Sequence, residues 1–337
     1  MLIKVFDWLE PAWEAWNKLS ERLPHAVLVH APEGCGAFEF AQGVAASLLC
    51  ENRGTHRKAC GACMACHWFG QGNHPDFRLV APESLTENPQ SEEDESPRKE
   101  KRSEQVRIEQ VRELADLLSV GTHRGGNRVI LIYPADAMNL NTQNALLKGL
   151  EEPPPSTFFL LVTSHTDRLL ATVRSRCMRF ALPAPDPERV FRWLKEQGVE
   201  SPGAALASAG GSPLGALKAA ESEVDRRRFL DDLKELRFDP IRLAESIQRI
   251  AVADAVDWLQ RWSCDLLLSK SGGAIRYFPE RGPVIVGISA RCRAEDICTY
   301  LRYLAQARAL VRHPLNPRLF VEDLLLRYRR LTEGAEA

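Results

Sequence analysis

Residues 26–40 read AVLVHAPEGCGAFEF, and this stretch decides the fold of the first half of the chain. The apolar run Ala26–His30 predicts a buried strand, the glycines after it predict a tight turn, and a helical apolar spacing begins at Phe38. A strand, a glycine turn and a helix in this order form the unit of a phosphate-binding P-loop. The segment therefore predicts an α/β domain of the P-loop type.

The turn departs from a working P-loop at the positions that carry the chemistry. In the pattern G-x-x-x-x-G-K-[ST], backbone N–H groups cradle phosphates, the lysine reaches the terminal phosphates, and the hydroxyl binds Mg²⁺. Gly34 and Gly36 keep the turn, but Ala37 replaces the lysine and Phe38 replaces the hydroxyl. These residues predict a degenerate loop that binds no ATP. An ordinary glycine turn that never held a phosphate is the alternative.

The acidic pair of an active site is also missing from the sequence. An active P-loop ATPase carries Asp and Glu after its third strand, for Mg²⁺ and for polarising water. Here the strand runs into Tyr133-Pro134-Ala135, and Asp136 comes too late in the chain to replace the pair. Two independent positions of one nucleotide site are thus lost together, which favours decay of a real site over an ordinary turn.

Further strand and helix patterns extend this unit into a complete domain. Apolar runs predict strands over 77–80, 128–133, 157–163 and 178–182, separated by amphipathic helices, and this alternation indicates a parallel sheet wrapped by helices. After Pro183 the patterns become all-helical. We predict an α/β domain over 1–183, a small helical lid over 184–224 and an all-α domain over 225–337.

A highly charged segment interrupts the α/β domain. Residues 83–104 include SEEDESPRKEKRSE and almost no apolar side chain. Such a segment cannot bury enough surface to order itself, so we predict a mobile loop over 83–104.

Four cysteines have the spacing of a metal site. Cys50, Cys60, Cys63 and Cys66 form C-x9-C-x2-C-x2-C, which lets four thiolates converge on one tetrahedral ion. Four protein ligands leave no open position for water, so the module over 50–66 predicts a structural Zn²⁺ and not a catalytic one. Unliganded thiols or a redox pair are the alternatives.

Composition limits the classes of function. The chain has 337 residues, 45% of them hydrophobic, and a net charge of -1, which argues against a surface that grips nucleic acid everywhere. The sequence contains no run of 18 apolar residues, so it predicts no membrane span. Acidic residues and tryptophans near the N-terminus argue against a signal peptide. We expect a cytoplasmic protein with no membrane partner, whose nine cysteines are reduced or bind metal.

An arginine near the end of the α/β domain is a candidate catalytic residue. Ser175-Arg176-Cys177 follows the fourth strand and precedes the fifth. In ring-forming P-loop ATPases an arginine at this place reaches into the neighbouring subunit's nucleotide site and stabilises charge on the transferred phosphoryl group. By itself the motif is weak, and a salt-bridging surface arginine is the alternative.

Taken together, these motifs resemble the delta-prime family of bacterial DNA polymerase III clamp-loader subunits over nearly the whole chain. The most specific run is NALLKGLEEPP at residues 144–154. The other matching segments are Leu23-Pro24-His25-Ala26, the four cysteines, Ser175-Arg176-Cys177 and Asn316-Pro317-Arg318-Leu319.

The resemblance implies a RecA-like AAA+ domain, a lid and a collar that joins this chain to motor subunits and a delta subunit in a hetero-pentameric ring. That ring uses ATP to open the sliding clamp and place it on primer-template DNA, as part of the DNA polymerase III holoenzyme. In the family the motor subunits bind the ATP, so no intrinsic ATPase is expected here. Arg176, between Ser175 and Cys177, would act in trans as an arginine finger.

Two other functions compete with this interpretation. An active, ATP-hydrolysing motor subunit would share the zinc cluster and the Ser-Arg-Cys motif, but it would carry an arginine in the lid, where Leu214 stands here. The resemblance and the residues Ala37 and Phe38 oppose that function. A zinc module that binds nucleic acid would need a basic surface interleaved with aromatic residues, and only Trp68 and Phe69 follow the cysteines.

Overall fold

A computed structural model describes residues 6–19, 23–52, 58–86, 103–123, 125–235, 238–247, 249–311 and 316–333. The chain divides into two compact units, Met1–Arg189 and Val190–Ala337. The predicted division into α/β domain, lid and collar is finer than these two units and stays a prediction. Of the predicted loop 83–104, residues 87–102 lie outside the described residues.

The first unit contains a parallel sheet. In the described part of the chain five strands pair in the order β2-β3-β4-β1-β5. They are β1 (Ala26–His30), β2 (Phe77–Val80), β3 (Arg128–Ile132), β4 (Thr157–Thr163) and β5 (Met178–Ala181). All four pairings are parallel, with Val27 of β1 opposite Leu160 on one side and Met178 on the other. The predicted strands are confirmed, although β3 and β5 end one residue early.

Helices cover both faces of this sheet. On one face, Trp13 and Trp16 pack against Phe40, which stacks on Phe180 of β5. On the other face, helical side chains such as Leu146 join the strand residues in one apolar core. The helices of this unit are α1 (Glu10–Leu19), α2 (Ala37–Leu49), α3 (Met64–Gly70), α4 (Glu83–Thr86), α5 (Ile108–Ser119), α6 (Leu140–Glu151) and α7 (Ala171–Arg176). Burial on both faces explains the unbroken apolar runs of the strands.

From residue 187 onward the described chain is helical. The helices are α8 (Pro187–Glu196), α9 (Pro202–Ser208), α10 (Pro213–Glu221), α11 (Glu223–Leu233), α12 (Pro240–Ser246), α13 (Val252–Lys270), α14 (Gly282–Arg291), α15 (Ala294–Leu310) and α16 (Pro317–Glu333). In the second unit, buried Trp262 of α13 donates from Nε1 to the Tyr328 hydroxyl of α16 at 2.8 Å. Among the described helices, none is both long and apolar enough to cross a membrane. The predicted fold class, an α/β RecA-like domain of the AAA+ type followed by helical segments, is confirmed.

A buried ion pair ties the sheet to α5. The side chains of Arg128 and Asp76 are each 1% exposed, and Arg128 Nη2 lies 3.8 Å from Asp76 Oδ1. The guanidinium also donates, at 2.7–2.9 Å, to carbonyl oxygens at and just beyond the C-terminus of α5, those of Leu117, Val120 and Gly121. Carbonyls at a helix end lack intrahelical partners, so a buried cation satisfies them and complements the helix dipole.

We expect Arg128→Met to destabilise the first unit strongly, because it leaves the Asp76 carboxylate buried without its counter-charge. The expected loss is about 3–5 kcal/mol in the free energy of unfolding, measured by urea titration. Arg78→Met, at an exposed arginine of β2, is the matched control and should cost less than about 0.5 kcal/mol. If Arg128→Met and Arg78→Met had equal midpoints of urea unfolding, the ion pair would not stabilise the packing of α5.

Candidate functional site

The loop between β1 and α2 lies at the carboxyl edge of the sheet, where open α/β sheets bind ligands. Gly34 has φ 71° and Gly36 has φ 91°, a left-handed conformation that favours glycine. α2 begins directly after Gly36, at Ala37. The structure therefore has a glycine turn that leads from a strand into a helix N-terminus, as the sequence predicts.

Apolar residues of the N-terminal segment cover this loop. Trp8 is 2% exposed, and its indole Nε1 donates to the Cys35 carbonyl oxygen at 3.0 Å. Phe6 stacks on Trp8 with ring centroids 4.3 Å apart. A Cβ atom at Gly36 would lie 3.1 Å from Leu9 Cδ1 and 3.3 Å from Phe6 Cδ2, which is closer than an ordinary contact. The loop is thus packed against hydrophobic side chains, a cover that the sequence motifs did not reveal.

An aromatic pair stands where a P-loop ATPase has its metal ligands. Phe38, in place of the hydroxyl, stacks on Tyr133, which follows β3 in place of the acidic pair. The ring centroids are 4.4 Å apart, and the planes differ by 24°. Such a pair stabilises by apolar contact and offers no ligand to Mg²⁺.

Asp136 is already engaged by other residues of the chain. It lies in a short 3-10 helix, Ala135–Ala137, and its carboxylate accepts a hydrogen bond from the Thr163 hydroxyl at the end of β4. Arg168 Nη1 lies 3.8 Å from the same carboxylate. These contacts give Asp136 a structural role beside the loop.

Negative charge surrounds Tyr133 at this edge. Burial raises the pKa of Tyr133, and the carboxylates of Glu39, Glu33 and Asp136 raise it further. Burial also raises the pKa of Glu39, in the first turn of α2. A phosphate at the loop would therefore meet carboxylates, where a working site supplies a lysine.

Arg176 lies at the opposite edge of the sheet. It is the last residue of α7, and the amino end of β5 follows at Met178. Its Nη2 lies 2.5 Å from Glu151 Oε1, and its Nη1 donates to the Thr172 carbonyl oxygen at 2.9 Å. The side chain is 34% exposed, so the guanidinium can be reached from solvent.

The neighbours of Arg176 in the motif have different surroundings. Ser175 is exposed, and its hydroxyl donates to the Thr172 carbonyl oxygen at 3.0 Å. Cys177 belongs to the apolar core of the sheet, and burial raises the pKa of its thiol to about 11. At neutral pH Cys177 is therefore a packed thiol, and the charged group of the motif is Arg176.

The structure connects two motifs that are far apart in the sequence. His25 Nε2 lies 2.9 Å from the Leu150 carbonyl oxygen, so the residue before β1 is joined to the C-terminal turn of α6. Glu151, the partner of Arg176, is the next residue of that turn. The sequence shows both motifs but gives no sign that they meet.

The four cysteines converge at the C-terminus of α2 and the N-terminus of α3. Their sulfur atoms all lie within 4.8 Å of one another, and two pairs, Cys50 with Cys63 and Cys60 with Cys66, are 3.9 Å apart. Thiolates bound at 2.3 Å around a tetrahedral zinc ion would be about 3.8 Å apart, so the distances fit. These four residues can hold a metal ion.

Backbone hydrogen bonds favour thiolates in this cluster. Burial raises the pKa of Cys63, but backbone N–H groups of Cys66 and Glu51 and neighbouring thiols outweigh burial and lower it to about 6. N–H groups that follow Cys60 lower its pKa as well. Burial raises the pKa of Cys50 and Cys66 in the absence of a metal. Because a bound cation displaces thiol protons, zinc would complete the deprotonation that the backbone begins.

The chain is similar in sequence to known subunits of DNA polymerase III. The family model described as DNA polymerase III, delta subunit, matches residues 14–186. The DNA polymerase III delta-prime subunit of Pseudomonas aeruginosa is 34% identical over 272 residues, covering 78% of this chain and 77% of that protein. The delta-prime subunit of Haemophilus influenzae is 30% identical over 275 residues, with coverages of 79% and 78%. A solved gamma-subunit-related protein of Thermotoga maritima is 14% identical, covers 95% of this chain and 99% of its own, and has a TM-score of 0.49.

The sheet order and the glycine turn define a P-loop domain of the AAA+ type. Within that class, the chain belongs to the DNA polymerase III delta-prime subunit family.

We expect the purified chain to contain about one zinc ion, and Cys63→Ser to release it, because three thiolates no longer close the tetrahedral shell. The variant should also melt about 5 °C or more below the parent protein. Elemental analysis and calorimetry measure the two effects. Cys298→Ser, at a cysteine of α15, is the control and should keep the metal. Protein purified without chelator that contains no zinc would contradict the site.

Proposed function

We propose that this chain is a non-hydrolysing clamp-loader subunit of DNA polymerase III, which assists ATPases without acting as one. It works in a hetero-pentameric ring with ATP-hydrolysing motor subunits and a delta subunit. The ring opens the sliding clamp and places it on primer-template DNA. One observation carries the proposal: the degenerate loop lies at one edge of the sheet and Arg176 at the other.

The contacts at the carboxyl edge support the absence of intrinsic ATPase activity. Ala37 has no charge to offer a phosphate, Phe38 is stacked on Tyr133, and Trp8 covers the loop. In the second unit, Leu214 in the first turn of α10 is uncharged, whereas the resemblance implies an arginine there in the motor subunits. Restoring ATP binding would require a new cation and the removal of packed side chains.

The surroundings of Arg176 support an arginine finger that acts in trans. Its ion pair with Glu151 is exposed, and exposed pairs contribute about 0–1 kcal/mol. An arginine finger accelerates phosphoryl transfer by roughly 10³–10⁵, equivalent to about 4–7 kcal/mol. A neighbour's phosphate can therefore bind the guanidinium although Glu151 is paired with it. Ser175 and Cys177 hold the end of α7 in place.

The rest of the proposal concerns the framework of the subunit. Zinc at the four cysteines has a structural role, because it leaves no ligand position for water. The α/β domain covers 1–183 and the lid 184–224, while the collar, 225–337, makes the ring contacts. The family's role in replication supports a cytoplasmic location.

We expect the isolated chain to bind ATP no more tightly than about 1 mM, a free energy near -4 kcal/mol. The physical reason is the missing lysine and the carboxylates around the loop. Equilibrium dialysis with labelled ATP measures it, with a motor subunit of the same clamp loader as the positive control. A dissociation constant in the micromolar range would favour the active motor subunit instead.

For the reconstituted ring, we expect Arg176→Ala to lower the DNA- and clamp-stimulated ATPase rate by at least about tenfold, and by up to roughly 10³–10⁵, while assembly is unchanged. Arg176→Lys should not restore the rate, because lysine lacks the planar fork of N–H donors. Arg179→Ala, at an exposed arginine of β5, is the matched control. Equal rates for the Arg176 and Arg179 variants would rule out the finger.

A further inference from the structure

Two acceptors of this chain define where the Arg176 guanidinium points. One is a carboxylate, Glu151 Oε1, at 2.5 Å from Nη2, and the other is the Thr172 carbonyl oxygen, at 2.9 Å from Nη1. An arginine has five N–H donors in a planar fork. The ion pair and the single hydrogen bond therefore restrain the guanidinium and leave other N–H donors for an incoming anion.

Glu151 projects from a well-anchored turn. It is the last residue of α6, and the residue before it accepts a hydrogen bond from His25 Nε2 through the Leu150 carbonyl oxygen. The following N–H, of Glu152, donates to the Lys148 carbonyl oxygen at 3.2 Å. At the other end of α6, the Asn139 side chain caps the helix by accepting from the Thr142 N–H. The backbone that carries the Glu151 side chain is thus restrained by hydrogen bonds at both ends of α6.

We propose that Glu151 is a positioning residue that holds Arg176 in the orientation in which it meets a neighbouring subunit's phosphate. This inference rests on the proposed function of Arg176. A long arginine side chain loses rotational freedom when it binds a phosphate, and a partner that restrains it beforehand reduces that loss. The opposing effect, partial neutralisation of the guanidinium, is weak because water screens an exposed pair. Restraint therefore outweighs neutralisation.

The test uses the reconstituted clamp loader with Glu151→Ala in this subunit. The expected result is a roughly threefold to tenfold lower kcat for DNA- and clamp-stimulated ATP hydrolysis, with KM for ATP within about twofold of the parent. Glu151→Gln keeps the size of the side chain and an acceptor oxygen, so its kcat should lie between that of the parent and that of Glu151→Ala. If Glu151→Ala assembles poorly, the kcat of Glu151→Gln is compared with that of the parent instead. Glu152→Ala, at the adjacent exposed glutamate, is the matched control and should leave kcat unchanged.

A double-mutant cycle separates positioning from a purely structural role. In an Arg176→Ala background, Glu151→Ala should cause no further loss of kcat, because the group that it positions is gone. Losses that multiply would overturn the proposal, and so would a rise in kcat for Glu151→Ala alone, which would mean that Glu151 restrains Arg176 from acting. If Arg176→Ala lowers kcat and Glu151→Ala does not, only the positioning role is wrong. If Arg176→Ala has no effect, the proposed arginine finger is wrong as well.

Discussion

All strands of the described sheet run in the same direction, and the chemistry of the first unit depends on this constraint. In a parallel sheet the residues that directly follow strands lie at one edge, and the residues that directly precede strands lie at the other. The glycine turn, Tyr133 and Asp136 follow strands, whereas His25 and Arg176 precede them. The residues that follow strands and those that precede them therefore form two separate sets of side chains. Substitutions at one edge can therefore leave the side chains at the other edge unchanged.

At the carboxyl edge, apolar side chains pack against the glycine turn. A helix N-terminus with glycine-rich backbone attracts anions, but here apolar side chains lie against it. Trp8 is buried there, and a buried indole needs a hydrogen-bond acceptor, which the Cys35 carbonyl oxygen supplies. The stacked pair of Phe38 and Tyr133 extends this packing. Such contacts favour stability over the charged, strained arrangement that catalysis requires.

Parts of this architecture could be predicted because their signals are local in the sequence. The strands read as continuous apolar runs since helices cover both faces of the sheet. The cysteines have metal-ligand spacing within 17 residues, Cys50 to Cys66. The helix α1 was not predicted from the sequence. The ion pair of Arg128 was not predicted for another reason: its counter-charge, Asp76, lies far away in the chain.

The sequence by itself determined which side chains of a working P-loop the carboxyl edge does not contain. Folding cannot supply a lysine where Ala37 stands or a hydroxyl where Phe38 stands. Tertiary structure alone decided which of the surviving groups meet. Arg176 lies beside Glu151, and His25 beside the carbonyl of Leu150, because strand order and helix packing bring together residues that are distant in the chain. No local pattern contains that information, since each contact depends on the path of everything between its two partners.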